Sequence, residues 1–134
     1  MAHSKQEPRW VTRVVIEAVH TDTLLTHGGL PGLRDEDLLE SALARPRQTL
    51  AYAPSTDIAG LAAAYGFGLS SNHPYTDGNM RVAFVAMAVF LGLNGLAFTA
   101  EESEVVTTMV ALASGTLDEQ TLADWIRSHS AQRV

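Results

Sequence analysis

The stretch "SSNHPYTDGNMRVAFVAMAVFLGLNG", residues Ser70–Gly95, joins a polar, turn-rich run to one of the most apolar segments of the chain. From about Asn79 to Leu93 apolar residues occupy most sides of a helical projection, which indicates a buried helix. The polar run places a histidine, a carboxylate, an amide and an arginine within the segment from His73 to Arg81. These residues predict a functional site at the start of a buried helix.

The length and composition of the chain are those of one globular domain. It has 134 residues, of which 46% are hydrophobic and 18% are charged. We therefore expect an N-terminal tail over residues 1–9 and a single domain over residues 10–134. The chain has no cysteine, which excludes disulfide bonds, thiolate metal sites and a cysteine nucleophile.

The charge and the apolar runs limit the classes of partner. The net charge of −6 disfavours binding to a nucleic-acid backbone, which requires a basic surface. No apolar run reaches the length that spans a bilayer, and the first ten residues lack the apolar core of a signal peptide. We expect a cytoplasmic protein without a nucleic-acid or membrane partner.

Helical periodicity extends along most of the chain and predicts an all-α domain of about six helices around the central helix at 79–93. The other expected helices cover about 12–27, a segment capped by Asp35 and ended or bent by Pro46, and about 58–71, 101–114 and 118–129. Thr12 and Asp57 are the expected caps of the first and third helices. Core packing is the expected fate of Val14, Val15 and Val19, whereas residues 50–57 form the longest expected surface loop.

The polar run contains the groups that phosphate chemistry needs. The free N–H groups at a helix N-terminus attract an anion, and Gly78 permits the tight turn before them. Asn79 can cap the helix or donate to a phosphate, and Arg81 supplies a cation. Asp77 beside a phosphate requires a bridging Mg²⁺, and a neutral His73 can take a proton from a hydroxyl. The run predicts phosphoryl or nucleotidyl transfer.

Each of these residues taken alone has a simpler interpretation. A histidine beside a proline is usually a surface residue, and Asp-Gly-Asn is usually a turn followed by a helix cap. Asp77 and Arg81 on their own are most often solvated side chains. The functional hypothesis therefore depends on their occurrence together before a buried helix.

The run "HPYTDGNMR" resembles the signature of the Fic/Doc (Fido) family, H-x-F-x-[DE]-[AG]-N-[GK]-R. The segment "GGLPGLRDEDLLESALARPRQ", Gly28–Gln48, is similar to the segment that short Doc-type (death-on-curing) members carry after their first helix. The resemblance covers most of residues 10–129 and implies a single Fic/Doc-fold domain.

The resemblance implies a role for each position of the run. His73 is the general base toward a hydroxyl of a target protein, Asp77 holds Mg²⁺ on the nucleotide phosphates, and Tyr75 anchors the loop inward. The phosphate-binding turn and its side chains are Gly78, Asn79, Met80 and Arg81. The flap that positions the target chain corresponds to Leu50, Ala51, Tyr52, Ala53, Pro54, Ser55, Thr56 and Asp57.

Two positions depart from the family pattern. Members that transfer AMP commonly have Gly at position 80 and a second Arg at position 84, and kinase-type members commonly have Lys at position 80. This chain has Met80 and Phe84. Phe84 argues against ordinary AMP transfer, and Met80 removes a cation. The sequence leaves open an altered pose of the nucleotide, weak activity, or another cation in place of the lysine.

The leading hypothesis is a Doc-like toxin that transfers a phosphate from ATP or another nucleoside triphosphate, with Mg²⁺, to a protein hydroxyl. The resemblance makes a translation elongation factor, such as elongation factor Tu, the expected target. The alternatives are transfer of AMP or another nucleotide, and a weakened module that binds nucleotide or antitoxin. The inhibitory motif [ST]-x-x-x-E-[GN] does not occur in the sequence, so the resemblance implies an antitoxin that acts in trans.

Overall fold

The computed structural model describes residues 7–133, which form six helices and one two-stranded ribbon. The all-α class is therefore confirmed. The elements are α1 (Arg13–His27), α2 (Glu36–Tyr52), α3 (Ile58–Asn72), α4 (Asn79–Leu93), β1 (Leu96–Phe98), α5 (Glu102–Ala113), α6 (Glu119–Ser128) and β2 (Ser130–Gln132). Of the predicted tail, residues 1–6 lie outside the described part, whereas the backbone of Arg9 is held by the Asn94 side chain.

Side-chain caps begin the first three helices at the predicted residues. Oxygens of Thr12, Asp35 and Asp57 accept hydrogen bonds from backbone N–H groups three positions later, at 3.5, 3.0 and 2.9 Å. Each cap satisfies one of the donors that a helix start leaves unpaired. These caps fix where α1, α2 and α3 begin relative to the loops before them.

The centre of the domain is formed by α3 and α4 together. The predicted central helix α4 is buried on most sides, and α3 beside it packs against α2, α4, α5 and α6. Small residues allow this close packing, since a Cβ atom at Gly66 would lie 2.3 Å from the sulfur of Met87 on α4. The loop that carries the polar run is therefore held between the two most buried helices.

The prediction that α2 ends at Pro46 is wrong. Helix α2 continues through this buried proline to Tyr52, because packing against the core outweighs the loss of one helical hydrogen bond. As a result Leu50 and Ala51 are also helical, and the loop before α3 covers only residues 53–57.

The predicted inward face of α1 is wrong in part. Val14 is 77% exposed, and the buried residues of this helix are Ile16, His20 and Thr23. The last two are polar, so hydrophobic periodicity could not identify the face that they occupy. His20 is buried because it contacts Tyr75 and Asp77 of the loop between α3 and α4.

The last strand of the chain returns to the end of α4. Strand β2 pairs with β1 in antiparallel register, with Leu96 opposite Gln132 and Phe98 opposite Ser130. Strands of three residues have too few positions to show a period in sequence. Within residues 7–133, none of the helices combines the length and the apolar character needed to cross a bilayer.

Candidate active site

The chain reverses direction between α3 and α4 at His73. Its backbone is left-handed, with φ 48° and ψ 57°, and it is the single non-glycine residue with positive φ among residues 7–133. This conformation costs about 1–2 kcal/mol for an L-residue. The side chain is exposed, with Nδ1 3.5 Å from the carbonyl oxygen of Ser71. In the tautomer that carries its proton on Nδ1, Nε2 is free to accept one.

Asn79 fastens the loop to the first turn of α4. Its Nδ2 donates to the carbonyl oxygen of Tyr75 at 2.9 Å, and its Oδ1 accepts from the N–H of the same residue at 3.0 Å. The expectation that Asn79 caps α4 is wrong, because the cap position belongs to Gly78 and carries no side-chain bond. The Asn79 amide is engaged with the loop, and phosphate contact by this residue remains a prediction.

Tyr75 points inward and rests on a residue of α1. Its ring is 4% exposed and stacks on the imidazole of His20 with 3.7 Å between centroids and 13° between planes. The Tyr75 hydroxyl has no hydrogen-bond partner among the described residues, and burial raises the pKa of Tyr75 to about 12. Nε2 of His20 donates to the carbonyl oxygen of Asp77 at 2.9 Å, so His20 supports the loop at two points.

The N-terminus of α4 opens into a cavity of about 540 Å³. Gly78 has φ 83°, a value that permits the sharp entry into the helix. The first bond of the helix runs from the N–H of Val82 to the carbonyl oxygen of Gly78. The N–H groups of residues 79–81 precede that bond and have no helical acceptor, so they form a ready site for an anion.

The cavity brings together the residues that the sequence singles out. Its lining consists of Thr23, His27, Gly28, Gly29, Ser70, His73, Thr76, Asp77, Gly78, Asn79, Met80, Arg81 and Ala113. Among the described residues, Arg81 makes no side-chain hydrogen bond or ion pair. Its guanidinium is therefore available for an anion bound at the helix N-terminus. Of the lining, Thr23, His27 and Ser70 escaped the sequence analysis.

The α1–α2 loop orients the carboxylate of Asp77. Its Oδ2 accepts from the N–H of Leu30 at 3.1 Å, and its Oδ1 accepts from the N–H of Gly78 at 2.9 Å. A Cβ atom at Gly29, which has φ 121°, would lie 2.9 Å from Oδ2. Glycine is required there by both the backbone angle and the close approach. The hydrogen bond from Leu30 to Asp77 joins residues 47 positions apart, so sequence spacing could not reveal it.

The groups present fit a magnesium ion that arrives with a nucleotide. No group of three or more His, Cys, Asp or Glu side chains within residues 7–133 is arranged to hold a metal. Asp77 contributes one carboxylate to the cavity, and each of its oxygens accepts one backbone hydrogen bond and has lone pairs to spare. Mg²⁺ is commonly bound through one or two carboxylates together with substrate phosphates and water. The donor set therefore suits an ion that is bound together with phosphates.

Met80 lies where the polar cavity meets an apolar pocket. It is 38% exposed and lines both the cavity and an adjoining space of about 290 Å³. Phe84, one turn further along α4, lines that apolar pocket. Its ring stacks on Phe98 of β1, with 5.3 Å between centroids. The position at which AMP-transferring members carry a second arginine is thus part of an aromatic cluster.

The predicted flap lies apart from this cavity. None of residues 50–57 lines it; Leu50, Pro54, Thr56 and Asp57 instead line a separate pocket of about 420 Å³. Asp57 caps α3 and pairs with Arg127 of α6. The first three flap residues are the last turn of α2, which corrects the prediction of a loop there. Positioning of a target chain by the remaining residues stays a prediction.

Comparisons with known proteins agree with the geometry. The model of the Fic/DOC family matches residues 10–91. Protein kinase doc of Escherichia phage P1 is 29% identical over 110 residues, which cover 82% of this chain and 86% of that protein. Toxin Doc of Mycolicibacterium smegmatis is 38% identical over 89 residues, or 63% of this chain and 66% of that protein, just under two thirds. The match to the family model extends over more than half of the chain and includes the whole polar loop, and the chain therefore belongs to the Fic/Doc family.

Proposed function

We propose that this protein is a Doc-like toxin that transfers a phosphate from a nucleoside triphosphate, such as ATP, to a hydroxyl of a target protein. The observation that carries the proposal is one cavity that contains an open helix N-terminus, the unpaired Arg81, the oriented Asp77 and the exposed His73. Relatives named for a protein kinase and a toxin support the same class of activity.

The residues divide the chemistry among them. The N–H groups at the start of α4 and Arg81 bind the transferred phosphate and stabilise the charge that develops on its oxygens. Nε2 of His73 takes the proton of the attacking hydroxyl. The hydroxyl oxygen forms a bond to the γ-phosphorus, while the bond from that phosphorus to the β–γ bridging oxygen breaks. The products are the phosphorylated side chain and the nucleoside diphosphate.

Asp77 is the residue that would hold Mg²⁺ together with the phosphates. The ion, when bound, neutralises charge on the phosphate oxygens. The backbone bonds from Leu30 and Gly78 fix the direction of the carboxylate before any nucleotide arrives. A ligand held in this way loses little conformational freedom on binding.

The apolar surroundings of Phe84 favour phosphate transfer over nucleotidyl transfer. In nucleotidyl transfer the target oxygen bonds to the α-phosphorus and pyrophosphate leaves. The two phosphates of the pyrophosphate then need cations in addition to the N–H groups at the start of α4 and Arg81. Phe84 stacks in an aromatic cluster with Phe98 and provides no such charge. The absence of charge at Met80 does not favour either reaction, because kinase-type members carry a lysine there and AMP-transferring members a glycine. Transfer of AMP or another nucleotide remains the second candidate because the resemblance to the wider family includes it.

Labelled nucleotides separate the two reactions. The purified protein is incubated with a bacterial lysate, Mg²⁺ and ATP labelled on the α- or the γ-phosphate. We expect γ-label on a target protein and no α-label. The His73→Ala variant should lose transfer by at least about 100-fold, the usual scale for a general base. Transfer of α-label alone would contradict the kinase-type reaction.

The target and the regulation are proposed from the resemblance. Elongation factor Tu is the first purified substrate to test in the same assay, and the cytoplasm is the compartment in which the protein would meet it. An antitoxin in trans is proposed as the inhibitor, since the sequence lacks the family's inhibitory motif.

A non-catalytic role makes a different prediction. If the site only bound nucleotide or an antitoxin, growth arrest on expression would survive the His73→Ala substitution. We expect the arrest to disappear. Since the His73 side chain is exposed, the variant should fold normally, and its circular dichroism spectrum serves as the control.

A further inference from the structure

The α1–α2 loop covers three successive carbonyl groups at the end of α3. Nε of Arg34 donates to the carbonyl oxygen of His73 at 2.7 Å, and its Nη2 donates to that of Asn72 at 2.9 Å. The next carbonyl, of Pro74, accepts from the N–H groups of Arg34 and Asp35 at 2.7 and 3.1 Å. One residue therefore contacts the backbone on both sides of the turn that carries His73.

These carbonyls need partners because α3 stops there. The last carbonyl groups of a helix receive no hydrogen bond from an N–H group of the same helix. His73, in the left-handed conformation, turns the chain away from the helix axis. A charged donor compensates carbonyls in this position. Arg34 thus donates to the carbonyls of Asn72 and His73 at the end of α3, where His73 is held in a strained conformation.

We propose that Arg34 is a positioning residue that holds the His73 imidazole where the target hydroxyl is attacked. The inference rests on the proposed function, in which His73 is the general base. Arg34 does not line the catalytic cavity, so it acts through the backbone of His73 and not on the nucleotide. Loss of Arg34 should therefore lower the rate of the chemical step.

The contact depends on the shape of the guanidinium group. Two of its N–H donors lie in one plane and reach two carbonyls at once. A lysine keeps the charge but presents a single ammonium centre. Lysine at position 34 should therefore reproduce the charge near the loop without restoring the two-point contact.

The test is steady-state kinetics of Arg34→Ala and Arg34→Lys with the purified target and ATP. We expect kcat to fall by about 10- to 100-fold in both, the scale of a misplacement of about 1 Å. The KM for ATP should stay within about twofold of the wild-type value, because the phosphate-binding N–H groups at the start of α4 and Arg81 are unchanged. Free guanidinium at millimolar, non-denaturing concentration should restore part of the activity of Arg34→Ala and none in His73→Ala.

A matched control is Arg45→Ala. This arginine joins α2 to Glu119 of α6 and touches neither the loop nor the cavity, so its loss should leave kcat unchanged. Unchanged kcat in Arg34→Ala would overturn the positioning role. The role would also be overturned if the variant showed a higher KM for ATP and a lower stability, and if free guanidinium restored none of its activity. If the alanine variant does not fold, the lysine variant decides by the same kcat criterion. Full activity of His73→Ala would instead overturn the proposed function itself.

Discussion

At Tyr75 a single hydroxyl group is buried without a partner among the described residues. An unpaired buried hydroxyl carries a desolvation penalty of about 1–3 kcal/mol, whereas the ring supports the loop by stacking on His20. Phenylalanine keeps the ring. We therefore expect Tyr75→Phe to raise the free energy of unfolding by about 1 kcal/mol and to leave activity intact.

Tyr65→Phe is the matched comparison. The hydroxyl of Tyr65 accepts from the N–H of Val11 at 2.9 Å and donates to its carbonyl oxygen at 3.2 Å. Removing it should lower the free energy of unfolding by about 1–2 kcal/mol. Urea denaturation of both variants measures the difference, and equal destabilisation of the two would show that Tyr75 has a partner after all.

Met80 is the residue whose change should most directly raise activity. It lies in the cavity, beside the N-terminus of α4, where a lysine would add a cation for the phosphates. We expect Met80→Lys to increase kcat/KM for ATP by about tenfold, equivalent to one modest charge-assisted contact. Met80→Leu keeps the site apolar and should change little. A decrease in Met80→Lys would show that the methionine itself contributes to nucleotide binding.

The sequence predicts the contiguous part of the site and not its supports. His73, Asp77 and Arg81 face one cavity because they share a short loop and the helix that follows it. His20 reaches the same loop across 57 positions, and Leu30 reaches it across 47. Such contacts depend on how helices pack, and a polar residue buried for this purpose gives no periodic signal.

At the scale of elements, the α1–α2 loop determines the shape of the catalytic loop. Gly29→Ala would place a Cβ atom 2.9 Å from Oδ2 of Asp77, so we expect a strong loss of transfer activity and a lower melting temperature. Gly28→Ala is the comparison, since its φ of 77° is also positive but no atom lies within 4 Å of the added Cβ.

Both alanine variants carry backbone strain of order 1–3 kcal/mol, and a loss of activity in Gly29→Ala beyond that in Gly28→Ala reports the contact with Asp77. Thermal unfolding and the γ-label assay measure it. Similar activity of the two variants would mean that the carboxylate tolerates displacement, which would contradict a role in fixing its direction.

Helix positions were more predictable than their ends. Capping residues such as Asp35 and Asp57 mark helix starts by a local hydrogen bond, which is a signal contained within a few residues. The end of α2 is different, because the helix passes Pro46 only with the support of packing from other elements. Local rules therefore identified the helix but stopped it too early.

At the scale of the whole molecule, Asp57 and Arg127 join the start of α3 to α6. The carboxylate oxygens accept from Arg127 at 2.8 and 2.9 Å, and this side-chain hydrogen bond holds the pKa of Asp57 below its usual range. A lowered pKa in the folded state contributes stability above the unfolded pKa of about 3.9, which is lost as pH falls through the folded pKa.

Asp57→Asn removes the charge and keeps a good helix cap. Because the pair is partly exposed, we expect a loss of only about 0.5 kcal/mol at pH 7. The difference from the wild type should shrink as the pH falls below about 3.9 and through the lowered pKa of Asp57. Denaturant titrations at several pH values measure it, and a difference that grows on acidification would show the opposite linkage.

The backbone of His73 has a consequence for the balance between activity and robustness. Glycine is the residue best suited to its left-handed angles, so the chain keeps a less suitable residue at the one position where the proposed chemistry needs an imidazole. His73→Gly should therefore be inactive and yet at least as stable as the active protein. Cells that escape toxicity by a mutation at His73 would therefore accumulate intact, well-folded protein. Selection for loss of toxicity would enrich substitutions that a screen for soluble expression would score as improvements.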